Sequence, residues 1–95
     1  MTKLMDKELN VVAGGDIAEV CEDSIALNVH GYMSEYFDDV FYLISHWDHC
    51  SSAVDDGWRK AGVTSVTRFL DSNTYFIDGK EVSRNQAYKH AGMNN

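Results

Sequence analysis

The feature that most constrains this chain is a glycine pair, Gly14-Gly15, placed behind a short amphipathic stretch at the N-terminus, MTKLMDKELNVVAGG. Met5, Leu9 and Val12 recur at i, i+4 and i+7, so a helix would put them on one face. Leu4 and Val11 widen that stripe, while Lys3, Asp6, Lys7, Glu8 and Asn10 fall largely outside it. Such a helix is too short to be stable alone in water and would fold in a partner's groove that takes its apolar side. Gly14-Gly15 stops it and leaves bare backbone narrow enough for a protease cleft. The chain therefore divides into residues 1–15 and a remainder, 16–95, that has to build the fold. The other reading of the same residues is an ordinary N-terminal helix closed by glycine.

The spacing of Leu4, Glu8-Leu9, Val12 and Gly14-Gly15 from the starting methionine resembles the double-glycine leaders of bacteriocin and microcin precursors. Met5 departs from the small polar residue frequent at that place. The resemblance covers residues 1–15 only. It implies that a peptidase-containing ABC transporter recognises Leu4, Glu8, Leu9 and Val12, cuts between Gly15 and Asp16, and exports the remainder. The product would then be secreted, with no enzymatic role and no cofactor.

The remainder has the size of one small domain with a thin core. The chain's apolar fraction of 44% and aromatic fraction of 12% argue against disorder. The longest apolar run, Val40-Phe41-Tyr42-Leu43-Ile44, is far short of the roughly 20 residues that span a bilayer. There is no basic segment followed by a long apolar one, so a Sec-type signal peptide is not expected.

The net charge is −7, and its distribution is uneven. Between residues 16 and 56 there are ten acidic residues and no Lys or Arg; from Gly57 onward six basic residues face three acidic ones. Acidic surface disfavours nucleic acid and anionic membranes as direct partners and favours a basic protein surface. It also simply keeps a small protein soluble. The same imbalance supports a second functional class, a cytoplasmic acidic inhibitor of the phage-encoded, anti-CRISPR-like kind that mimics nucleic acid.

The two cysteines, Cys21 and Cys50, both lie beyond the expected cut. In an exported product they could close one disulfide loop worth roughly 3–4 kcal/mol; in the cytosol they would be reduced core thiols. His46, His49 and Cys50 form the one dense group of metal-ligand types, with His46 and Cys50 at i, i+4. The spacing matches no zinc signature, and the group equally suits a helix end with cationic residues at its negative pole. A Cys50-His46 nucleophile pair lacks any supporting context. Asp38-Asp39 and Asp55-Asp56 are adjacent and point apart on a helix, which suits capping and solvation rather than paired acid-base work.

Along the chain, Asp16 is placed to cap a helix over 17–22 with Ile17, Val20 and Cys21 inward. Residues 24–29 alternate like a strand but could extend that helix. Ser34 is expected to cap a helix over 35–49 with Phe37, Val40, Phe41, Ile44 and Trp47 in the core, and Tyr36 and Leu43 beside them. Ser52 with Asp55 suggests the start of another helix, carrying Val54, Trp58 and Ala61 and ended by Gly62. Residues 63–70 and 74–77 read as a hairpin, Asp78-Gly79 as a type I′ turn into a short third strand, and Ser83 as the cap of a last helix over 84–91. The expected class is α+β, with N-terminal helices packed on a short antiparallel meander and a C-terminal helix. Of the aromatic side chains, most are needed inside and some are available for an exposed recognition patch.

Overall fold

A computed structural model describes residues 16–69 and 72–93. The element order is α1 (Asp16–Val29), α2 (Val40–Ser45), α3 (Trp47–Lys60), β1 (Thr64–Val66), β2 (Thr74–Ile77), β3 (Lys80–Val82) and α4 (Arg84–His90). The fold is α+β, as expected, with a three-stranded antiparallel sheet in the order β1-β2-β3. The sites foreseen at Leu4, Glu8, Leu9, Val12, Gly14 and Gly15 lie outside the described residues; Asp16, on the far side of the expected cut, is the first residue of α1.

Residues 24–29 continue α1 instead of forming a strand. The Ser24 hydroxyl donates to the Cys21 carbonyl at 2.8 Å, and Leu27 is fully buried on the helix face that carries Ile17 and Val20. α1 packs on both α2 and α3, and α3 in turn on β1. Gly57 allows the approach of α1 to α3: a Cβ there would stand 2.5 Å from Met33 Cγ and 3.2 Å from Leu27 Cδ1.

The long helix expected over 35–49 is not formed. Residues 35–39 are irregular, and the helical turns begin only at Val40. Two side chains of α1 account for the difference. Ser24 Oγ accepts the Phe37 N–H at 2.9 Å, and Asn28 Nδ2 donates to the Met33 carbonyl at 3.0 Å. A helix capped by Ser34 would need the Phe37 amide for its own cap, and Ser24 has taken it. Asp39, not Ser34, is the N-cap, its Oδ1 accepting from the amides of Phe41 at 2.9 Å and Tyr42 at 3.3 Å. The shift rotates the apolar stripe. Phe37 and Leu43 are buried, Val40 and Trp47 are partly buried, and Phe41, Ile44 and Tyr36 leave the core for the surface.

α2 and α3 meet at His46, so α3 begins at Trp47 and Ser52 lies inside it rather than at its start. Asp55 accordingly caps nothing. It accepts hydrogen bonds at 2.6 Å from both Ser65 and Thr67, joining α3 to β1. The first strand is shorter than expected, Thr64–Val66, because the chain leaves the ladder at Thr67. The strands Thr74–Ile77 and Lys80–Val82 and the Asp78-Gly79 turn between them match the sequence reading, with φ of 54° and 80° at the two turn residues. Ser83 and Gln86 form a capping box at the start of α4.

One polar cluster closes the fold from within. Asp23 is fully buried. Its Oδ2 accepts from the Tyr75 hydroxyl at 2.6 Å, and its Oδ1 from the Tyr88 hydroxyl at 2.6 Å and from Arg84 Nε and Nη2 at 3.1 and 2.8 Å. α1, β2 and α4 are thereby tied to a single carboxylate. Burial, and then the Asp23 charge, push both tyrosine hydroxyls above their ordinary pKa. For Arg84, burial opposes the charged form and the Asp23 charge favours it; the net direction is upward. Trp58 lies edge-on to both tyrosine rings, with centroids 5.2 and 5.4 Å away.

Candidate protein-interaction surface

The surface turned out by the late start of α2 gathers apolar and acidic side chains together. Phe41 is 70% exposed, Tyr36 53%, Tyr42 42% and Ile44 40%. A six-residue helix carrying three such side chains outward is anchored through Leu43, which is fully buried. Rings of this size left at the surface forgo the solvation free energy that burial would give. Tyr and Phe are also among the side chains enriched at the centres of protein interfaces.

Beside these rings the chain folds around an open cavity of about 270 Å³ lined by Glu35, Tyr36, Phe37, Asp38, Asp39 and Tyr42. Phe37 and Tyr42 lie nearly parallel, 17° apart with centroids at 6.2 Å, and His46 stacks on Tyr42 at 4.1 Å. Asp39 is held by its capping bonds to α2. Asp38 is exposed and makes no hydrogen bond or ion pair with a described residue. Glu35 meets His49 Nε2 at 3.1 Å across the rim. The site is thus acidic and aromatic at once, which suits a cationic surface that also carries apolar groups.

The other residues singled out from sequence sit elsewhere or do other work. Cys21 and Cys50 are free, buried thiols on α1 and α3, two helices that pack together. Burial pushes the Cys21 thiol up to about 11, with Asp38, Cys50 and nearby acids adding in the same direction; burial and Glu35 raise Cys50. His46 bonds the Tyr42 carbonyl through Nδ1 at 3.1 Å and His49 turns to Glu35, so the two rings do not converge on Cys50. Among the described residues no three His, Cys, Asp or Glu side chains are gathered as a metal site requires. Among them, too, no helix is long and apolar enough to cross a membrane.

Sequence reasoning missed the Asp23 cluster, since Asp23 reads there as one more acid in an acid-rich half. The outward turn of Phe41 and Ile44 was hidden as well, because it depends on contacts that Ser24 and Asn28 make from the preceding helix. No protein-family model matches the chain, and neither a curated protein nor a solved structure matches it.

Proposed function

We propose that the chain is the precursor of a secreted, bacteriocin-type antagonist that acts by binding a basic protein of its target cell through the α2 face. A peptidase-containing ABC transporter grips Leu4, Glu8, Leu9 and Val12 and cuts after Gly15, releasing a product that starts at Asp16. The observation that carries the binding part is the exposure of Phe41, Tyr42 and Ile44 beside Glu35, Asp38 and Asp39. The delivery part is supported by the leader-like spacing that ends in the glycine pair. Neither part requires the chain itself to hold a cofactor or to catalyse a reaction.

The test expresses the full chain with and without a cognate transporter and takes the mass of the species in the culture supernatant. A product beginning at Asp16 supports the reading, and intact chain confined to cells ends the export part. A Phe41→Ser, Ile44→Ser double variant that keeps its melting temperature yet loses antagonism supports the docking face; undiminished antagonism removes it.

One observation favours a second reading, a cytoplasmic acidic inhibitor. The half of the chain free of Lys and Arg supplies every carboxylate of the α2 cavity, as a mimic of nucleic acid would require. Such a mimic loses affinity steeply as salt rises. Binding that is indifferent to ionic strength counts against it.

A further inference from the structure

We infer that the cavity beside α2 is a receptor for one arginine side chain of the partner protein. The inference rests on the docking-face reading above and adds the chemistry that centres it. The cavity, at about 270 Å³, falls below the usual volume of a drug-sized ligand site and is open at the surface, which suits a single side chain reaching in from another protein. Its lining brings together the two things a guanidinium takes, aromatic rings, with Tyr36 the most exposed of them, and the carboxylates of Asp38, Asp39 and Glu35.

The carboxylates are not equivalent. Asp39 Oδ1 is engaged by the first amides of α2, and Glu35 is drawn toward His49. Asp38 makes no hydrogen bond or ion pair with a described residue, and it stands between the two ring-bearing stretches of the lining. A planar fork that stacks on a ring while bonding one carboxylate through two N–H groups fits this arrangement; a compact ammonium can use the charge but not the fork. Arginine is therefore expected to bind better than lysine here.

The test titrates the full chain, ¹⁵N-labelled, with three capped peptides, acetyl-Gly-Arg-Gly-amide and its Lys and citrulline counterparts, and tracks amide shifts. The expected result is saturable shifts from the arginine peptide confined to residues 35–42, roughly threefold weaker binding of the lysine peptide, and none by citrulline. Tyr36→Leu should weaken the arginine peptide by roughly two- to fivefold and Asp38→Asn by at least as much. Both positions are exposed, so an unchanged melting temperature shows that the fold is intact. Equal binding of arginine and lysine, shifts scattered over all acidic surface, or no saturable shift overturns the inference. If the Phe41→Ser, Ile44→Ser variant loses antagonism while the arginine peptide shows no preference, the docking face stands and the arginine receptor alone falls.

Discussion

Tyr75→Phe is expected to destabilise the domain more than Tyr88→Phe, although both hydroxyls sit 2.6 Å from the same carboxylate. The difference lies in what each change leaves behind. Without the Tyr88 hydroxyl, Asp23 Oδ1 still accepts from Arg84 at 2.8 and 3.1 Å. Among the described residues, Oδ2 has the Tyr75 hydroxyl as its donor, and Asp23 is fully buried, so solvent does not replace it. A hydrogen bond to a charged group contributes about 1.5–3 kcal/mol, and an orphaned buried acceptor costs its full desolvation. The expected losses are therefore roughly 2–3 kcal/mol for Tyr75→Phe and about 1 kcal/mol for Tyr88→Phe. At about 4–8 °C per kcal/mol, these correspond to melting temperatures lowered by roughly 8–24 °C and 4–8 °C. Urea unfolding monitored by tryptophan fluorescence measures both. Trp58 reports on the cluster because its ring touches both tyrosine rings, and those ring contacts survive in the Phe variants. Equal losses, or a larger loss in Tyr88→Phe, would refute the idea that the donors remaining on each oxygen set the cost.

Three further outcomes are expected. Gly57→Ala gains helix propensity but drives a methyl into Met33 and Leu27, and the net loss should be about 1–2 kcal/mol by thermal denaturation; a gain would show that the α1–α3 contact is looser than described. The Cys21 thiol stays protonated in the fold up to about 11, whereas the unfolded thiol ionises near 9.0, so stability present below pH 9 should fall across that window by at most roughly 2–3 kcal/mol. Cys21→Ala should flatten the decline in urea titrations between pH 8.5 and 10.5, and an unaltered slope would assign the decline to other groups. Phe41→Ser and Ile44→Ser should each change stability by no more than about 0.5 kcal/mol, since neither ring nor branch is part of the core; a loss of several kcal/mol by calorimetry would place them inside.

The C-terminal part of the fold is legible residue by residue because its signals are local. Asp78-Gly79 carries its own turn chemistry, Ser83 and Gln86 cap a helix three residues apart, and Thr74–Ile77 has β-branched and aromatic residues in sequence. The N-terminal part is legible in the helix over 17–22 and in its burial pattern at Ile17, Val20 and Cys21, whereas residues 24–29 suit a strand and a continued helix alike. Between residues 30 and 52 the outcome turns on contacts that no local pattern announces. Ser24 and Asn28 claim backbone groups thirteen and five positions further along, and so delay the helix to Val40. The aromatic content signals that some rings face water. Which ones do is decided by that delay, and with it the candidate site.

The brevity of α2 has a practical corollary. Six residues cannot hold a helix in water, so the orientation of Phe41 and Tyr42 is borrowed from Leu43, seated in the core, and from the Asp39 cap. A synthetic peptide copying residues 33–49 should inherit the letters of the proposed docking face without its shape. Transplanting the proposed docking face onto another scaffold would mean carrying α1 and α3 along with it, because its shape is a property of the whole bundle rather than of the segment that displays it.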